Sequence, residues 1–315
     1  MENINVAVIG VGHFGQRHAE KYKGFSHVSL RAVCDIDQER GRAAAQKYHA
    51  NYYRSTSELL EGEEDLQAVS VCTWPSNLAR NAELAISAGK HVMVEKPMAL
   101  NVPDAEILAS LAEKKRVILS VGFLTRFDPK LQRLKKAIVE GTIGDLVQMS
   151  SRRDSPYPDK VLDDVGIVKD VAIHDIDIAR HLFGSDPVEI RATGTPHNPT
   201  FEDNAEITLE FGEGRTAIIE SNWLSKDSIR QVCVTGTKGS SRLDYLSREL
   251  TILGEAQLHV TDCPDEDPLG QELDHFTSCI LKHEKPLVTA LDGIKALRIA
   301  EEAVKSLQAS QCHRL

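Results

Sequence analysis

The 315-residue chain has no apolar run long enough to cross a bilayer, no low-complexity stretch and no internal repeat. These absences set aside membrane spans, disordered tails and solenoid arrays. It also lacks a basic excess: 37 Lys and Arg stand against 47 Asp and Glu, a formal net charge of -10. Nucleic acid needs a basic face for its phosphates, so that partner is excluded, while a local group of arginines still suits an anionic small molecule. The six cysteines (Cys34, Cys72, Cys233, Cys263, Cys279, Cys312) show no CxxC or CxxxH spacing. That argues against a zinc site or a disulfide framework, and no metal is expected. Cys34 and Cys72 end apolar strand patterns and read as buried free thiols. The opening MENINVAVIG carries no basic segment or cleavage site ahead of its apolar run, so a cytoplasmic protein is expected.

What is present is an ordinary globular composition, 41% hydrophobic and 27% charged, at a length that suits two domains. Strand patterns at 5–9, 28–34, 68–72, 91–94 and 117–121 alternate with helical patterns at 14–22, 38–48, 77–88 and 105–114. Such alternation implies crossover connections and a parallel sheet. Beyond a helix at 129–140, a strand at 146–152 and a helix at 169–182, six strand patterns follow: 188–192, 205–211, 216–221, 230–234, 241–245 and 250–253. No helical pattern intervenes between these six, which predicts an antiparallel sheet. Helices at 269–283 and 293–307 close the chain.

The first strand runs into Gly10-Val11-Gly12-His13-Phe14-Gly15, a GxGxxG between strand and helix. Gly10 allows the tight turn, Gly12 the approach of a pyrophosphate, and Gly15 close packing of helix on strand. The helix N-terminus offers N–H groups and a positive dipole end to phosphate. The competing reading is a plain tight turn. Asp35 decides between them: it lies 20 residues past Gly15 at the end of the second strand, where an acidic side chain binds the ribose hydroxyls of NAD and repels the 2′-phosphate of NADP. Arg40 and Arg42 follow and read as a solvated helix face. His13 and Phe14 cover the cofactor or merely cap the helix. The fold class expected is α/β: an N-terminal Rossmann dinucleotide-binding domain over 1–122, then a C-terminal α+β domain over 123–315 with a large, mostly antiparallel open sheet.

Downstream lie Thr73-Trp74-Pro75, then Ala88-Gly89-Lys90-His91-Val92-Met93-Val94-Glu95-Lys96-Pro97, Val121-Gly122-Phe123 and Arg126-Phe127-Asp128-Pro129. With the glycine motif, these make the chain resemble, over its whole length, the glucose–fructose oxidoreductase / inositol dehydrogenase / rhizopine catabolism (Gfo/Idh/MocA) family. The resemblance implies an NAD-dependent dehydrogenase acting on a sugar hydroxyl, a homodimer or homotetramer formed through the C-terminal sheet, and Thr73, Pro75, Glu95, Lys96 and Arg126 in the cofactor site. It also makes Lys96 a contact for the reacting hydroxyl. Lys96 follows a parallel strand, where open α/β sheets bind ligands; the bland reading is a surface lysine.

Asp170-Val171-Ala172-Ile173-His174-Asp175-Ile176-Asp177 resembles the family's D-x-x-x-H-x-x-D helix. At i, i+4 and i+7, Asp170, His174 and Asp177 share a face, and His181 extends the row. Ile173, Val171 and Ile178 flank this narrow stripe, which reads as a buried polar cleft or, alternatively, a salt-bridged surface row. Gly166 stands alone where the family has two or three glycines, and Thr73-Trp74-Pro75-Ser76-Asn77-Leu78 replaces TPPxxH; both departures bear on the substrate. The 164–177 stretch, Glu220-Ser221-Asn222-Trp223-Leu224 and Val234-Thr235-Gly236-Thr237-Lys238-Gly239 are most similar to the subgroup that oxidises UDP-N-acetylglucosamine at C3.

The implied chemistry takes a hydride from a secondary carbinol and a proton from its hydroxyl. His174 suits the proton, since an imidazole titrates near working pH. Lys96 would hold the oxygen, or act as the base itself if burial lowers its pKa. Asp170 would orient His174 or grip a neighbouring hydroxyl. Arg152 and Arg153, at a strand end, suit a diphosphate; a solvated pair is the alternative. Asn222 and Trp223 are candidates to face the sugar, with a core tryptophan as the alternative. Competing functions are a myo-inositol or other free-polyol dehydrogenase, an NAD-retaining glycosidase and a non-enzymatic NAD-binding regulator.

Overall fold

Five short apolar runs, a three-residue edge strand and the helices between them build the first part of the chain. In order these are β1 (Ile4–Ile9), α1 (His13–Gly24), β2 (Val28–Cys34), α2 (Gln38–Tyr48), β3 (Asn51–Tyr53), α3 (Thr56–Gly62), β4 (Ala68–Val71), α4 (Pro75–Ser87), β5 (His91–Glu95), α5 (Val102–Lys115) and β6 (Leu119–Gly122). The strands are parallel in the order β3-β2-β1-β4-β5-β6. All four residues of β4 are buried, Ser70 included, because both faces of this central strand are covered. The helix starts are chemically marked. Asp37, Ser55 and Asn101 cap α2, α3 and α5 through their side chains, and Pro75 opens α4. From β1 the chain steps outward to β2 and β3, then crosses back to β4 on the other side of β1, so β1 and β4 flank the point where the strand order reverses. Ligands of open α/β sheets bind there.

The next elements are α6 (Pro129–Val139), β7 (Leu146–Asp154), α7 (Ile173–Phe183), β8 (Glu189–Thr193), β9 (Asn204–Glu210), β10 (Thr216–Asn222), β11 (Ile229–Gly236), β12 (Ser240–Asp244), β13 (Glu249–Leu253), β14 (Gln257–Val260), α8 (Pro268–Lys282), α9 (Ala290–Ala309) and β15 (His313–Arg314). Their sheet runs β14-β13-β12-β11-β7-β10-β9-β8-β15. Its neighbours are antiparallel except β7 and β10, which are parallel. The pair is parallel because α7 and the β8–β9 hairpin lie between them in the chain. β7 buries Met149, Ser151 and Arg153 and exposes Gln148, Ser150 and Arg152, so this sheet has one covered and one open face.

This is a computed structural model. It describes residues 3–157, 164–195, 197–198, 200–254, 257–260, 267–309 and 311–315. Cys263, Asp163 and the last part of the 154–160 loop lie outside them. No described helix is long and apolar enough to cross a membrane. Two compact units emerge: Met1–Leu124 with Asp267–Ile294, and Thr125–Glu266 with Lys295–Leu315. The first unit is thus discontinuous in the sequence, because the chain returns to it through α8. Leu269, Leu273, Phe276 and Ile280 fall at i, i+4, i+7 and i+11 on α8 and join the core of Ile4, Val6, Val8 and Tyr22. Burying each such side chain contributes about 1.5–3 kcal/mol, enough to fix the helix there.

Candidate active site

In the first unit the three glycines have distinct physical jobs. Gly10 sits at φ +85, and a Cβ there would lie 2.8 Å from the carbonyl of Cys72. A Cβ on Gly15 would collide with the carbonyl oxygen of Gly10, whereas one on Gly12 would meet nothing within 4 Å. The open side is thus at Gly12, which is the N-cap of α1 and makes no side-chain cap bond. The first turn of α1 holds no acidic residue, so its N–H groups and dipole remain suited to an anion. His13 is exposed, and Phe14 is half-buried, 5.2 Å from the His18 ring.

Asp35 is buried at the end of β2. Its Oδ2 accepts the Val11 N–H at 2.9 Å and the Arg40 Nε–H at 2.9 Å. Its Oδ1 accepts the Asp37 N–H at 2.9 Å and Arg40 Nη2 at 2.7 Å. Burial pushes this carboxyl up, but the Arg40 guanidinium and the two backbone donors outweigh it and hold the group below its ordinary value. Arg40 is therefore no solvated bystander: the helix start at Gln38 brings it back onto Asp35 as a bidentate partner. The glycine turn, the uncapped helix end and this carboxylate fit a dinucleotide, whose ribose hydroxyls would share Asp35 with Arg40. Cys34 next to it is buried, and burial followed by the Asp35 charge pushes its thiol up to about 12, so it is an inert thiol. Cys72 is only half-buried.

Thr73 is half-buried and Pro75 buried where β4 gives way to α4, beside an exposed Trp74. Lys96 is half-buried directly past β5 and is followed by a cis peptide bond to Pro97. The Glu95 carboxylate faces His18 Nε2 at 3.1 Å and covers Gly122, where a Cβ would lie 2.6 Å from it. The Glu95 side chain thus links β5 to α1.

In the second unit, α7 begins with a π-turn at Val168–Ala172, in which the Ile173 N–H reaches back five residues to the Val168 carbonyl. The Ile167 N–H bonds the Glu202 carbonyl at 2.9 Å, and the Val168 N–H bonds the Glu202 carboxylate at 3.3 Å. A Cβ on Gly166 would strike that carboxylate, so the lone glycine makes room for Glu202. Asp170 lies in the π-turn and His174 in the following α-helical turn; both are half-buried, as is His181. Asp177 is fully buried and holds Arg126 by two bonds of 2.7 and 2.6 Å. The predicted stripe therefore divides into half-buried Asp170, His174 and His181, and an internal Asp177. The guanidinium of Arg126, expected at the cofactor, forms this buried ion pair, which ties the segment before α6 to α7.

Arg152 and Arg153 do not act as a pair, because neighbouring residues of a strand face opposite ways. Arg152 is exposed and meets Asp154 at 2.7 Å. Arg153 is buried, its Nε donating to Asp175 at 2.5 Å. The Asn222 side chain accepts the Leu224 N–H at 2.6 Å and shapes the bend after β10. Trp223 is buried 5.8 Å from the Tyr157 ring, so the core alternative holds for it. Among the described residues no group of three His, Cys, Asp or Glu side chains is placed to hold a metal. The sequence reading missed Arg40, the His18–Glu95 pair and Glu202; only Arg40, five residues from Asp35, had a local signal.

Residues 4–123 match the family described as "Oxidoreductase family, NAD-binding Rossmann fold", and residues 131–242 match "GFO/IDH/MocA C-terminal domain". The chain is 31% identical to the myo-inositol 2-dehydrogenase of Thermotoga maritima, over 99% of this chain and 98% of that one. It is 28% identical to the UDP-N-acetylglucosamine 3-dehydrogenase of Acidithiobacillus ferrooxidans, over 97% and 96%. The solved structure of the latter superposes with a TM-score of 0.90, at 27% identity, over 98% of this chain and 99% of that chain.

Proposed function

The chain belongs to the GFO/IDH/MocA oxidoreductase family, with an NAD-binding Rossmann domain, and on that premise we propose that this sugar or polyol dehydrogenase oxidises UDP-N-acetylglucosamine at C3. The observation that carries the reading is the near-complete match in length and fold to the Acidithiobacillus enzyme, together with Lys96, Asp170 and His174 at the family's positions. Asp35 receives the ribose hydroxyls. The N–H groups at Gly12, His13 and Phe14 receive the pyrophosphate, and Thr73 and Pro75 line the dinucleotide.

NAD, when bound, supplies the acceptor for the hydride. Lys96 donates to the substrate hydroxyl and steadies the oxygen as negative charge develops there. His174 takes the hydroxyl proton at an imidazole nitrogen. Asp170 orients the ring or grips the adjacent hydroxyl. Asn222 and the Arg153 segment border the rest of the sugar nucleotide. The open face of the nine-stranded sheet serves homo-oligomerisation.

A second reading has support of its own: 31% identity to the Thermotoga enzyme favours a free polyol such as myo-inositol. NADH formation from UDP-N-acetylglucosamine, myo-inositol and glucose, compared at equal concentration, separates the two. Turnover of the nucleotide sugar at least about tenfold faster supports the first reading; turnover of inositol alone overturns it.

A further inference from the structure

Behind α7 the second unit encloses a cationic cluster of which the proposed chemistry uses no more than the Arg153 segment. Arg153 on β7 and Arg230 on β11 are direct cross-strand partners. Like charges placed opposite each other destabilise a sheet unless something of opposite sign offsets them. Tyr245 follows β12, its N–H bonded to the Arg230 carbonyl at 2.9 Å. Its ring lies 5.3 Å from the Arg230 guanidinium and 5.8 Å from that of Arg153. Asp175 is fully buried and accepts from Arg153 Nε alone. Asp128, the other carboxylate nearby, accepts the Lys130 and Leu131 N–H groups as the cap of α6.

Three buried donors are left over among these residues: Arg153 Nη2, Arg230 Nε and the Tyr245 hydroxyl; on the acceptor side only Asp175 Oδ1 remains. Buried donors without acceptors are rare, and three from one cluster call for an acceptor-rich group. Burial and the neighbouring Arg153 charge push the Arg230 guanidinium down to about 10, the response of a cation that lacks a counter-anion.

We propose that Arg153, Arg230 and Tyr245 form a subsite for an anionic oxygen group of the substrate, a carboxylate or a phosphate, with Asp175 holding Arg153 in place. Guanidinium groups recognise both through paired N–H bonds. The inference rests on the reading of this protein as a sugar dehydrogenase, and it sharpens the substrate to one that carries negative charge.

The test uses the full chain with NAD and three matched probes: D-glucose, D-glucuronate and D-glucose 6-phosphate. Binding is measured by calorimetry and oxidation by NADH formation. The proposal expects at least one anionic probe to bind about tenfold or more tightly than glucose. A preference for glucuronate identifies a carboxylate, and one for the 6-phosphate a phosphate. In Arg230→Gln the ratio of anionic to neutral affinity should collapse to near one, and Arg230→Lys should restore part of it. Tyr245→Phe should lower the ratio by a few-fold. Equal affinity of the unaltered protein for all three probes overturns the proposal, as does a ratio that survives Arg230→Gln. Selective binding of a charged probe upholds the subsite whether or not NADH forms from it; the dehydrogenase reading falls separately, if none of UDP-N-acetylglucosamine, myo-inositol and glucose yields NADH.

Discussion

Replacing Asp35 by Ser separates recognition of the cofactor from upkeep of the fold. The carboxylate accepts from the Val11 and Asp37 N–H groups and twice from Arg40. Val11 is fully buried, so leaving its N–H without a partner costs about 1–3 kcal/mol of stability. That loss weakens binding of NAD and NADP alike. The discrimination between them changes separately. A hydrogen bond from a ribose hydroxyl to a carboxylate contributes about 1.5–3 kcal/mol, roughly a tenfold to hundredfold change in affinity for NAD. The same substitution removes the charge that repels a 2′-phosphate and frees the Arg40 guanidinium to bind one. The ratio of dissociation constants, NADP over NAD, should therefore fall by about a hundredfold or more. Titration calorimetry with both dinucleotides measures it without any sugar present. Adding Arg40→Ala should remove the gain in NADP binding. A ratio unchanged in Asp35→Ser would refute the role assigned to Asp35.

Four further outcomes follow from the same geometry. His174→Ala should slow the chemical step by about 10² to 10⁴ while NAD affinity is kept; single-turnover rates close to those of the unaltered enzyme would remove His174 from proton transfer. Arg126→Leu removes both short bonds to the buried Asp177, which keeps Arg180 at 3.8 Å, and should cost about 3–5 kcal/mol in urea unfolding, with Arg126→Leu/Asp177→Leu recovering part of it; a loss under about 0.5 kcal/mol would show the pair to be dispensable. Gly166→Ala should displace the Glu202 carboxylate from the π-turn and lower kcat by about tenfold, and undiminished kcat would sever Glu202 from the placement of Asp170. His91 Nδ1 and His275 Nε2 accept the Ile118 and Leu287 N–H groups, both at 2.9 Å, and so must be unprotonated there. Burial lowers both imidazoles from 6.5. Their contribution is full above that ordinary value and is lost as pH falls through the lower folded value, where the unfolded chain binds more protons. His91→Gln keeps an acceptor that does not titrate, so it should flatten the decline of stability below neutral pH; an identical slope would contradict the assignment.

The parallel sheet was legible because each strand is a compact apolar run and each crossover helix has its own start signal, such as Asp37 or Asn101. The short elements were not. Asn51–Tyr53 offers three residues, too few for any period, and β15 is held by two residues whose partners on β8 lie more than a hundred positions away. Assigning α8 to its unit also escaped reading: its apolar stripe states that a face is buried but not which core receives it. At the site, the glycines and Asp35 carry local signatures, and the structure gives each a reason. The partners of Arg126, Arg153 and Glu95 carry none, because they lie 51, 22 and 77 residues away and are chosen by packing. The π-turn escaped for the same reason, since the carboxylate at its start comes from Glu202.

In the proposed reaction this protein moves a hydride from a sugar carbon to NAD, with Lys96 and His174 acting on the hydroxyl. UDP-N-acetylglucosamine deuterated at C3, incubated with NAD and the unaltered protein, tests it in one measurement by mass spectrometry of the dinucleotide. The NADH formed should carry the deuterium, and none should form in Lys96→Met although NAD still binds. NADH without the label, or labelled NADH in equal yield from Lys96→Met, would contradict it.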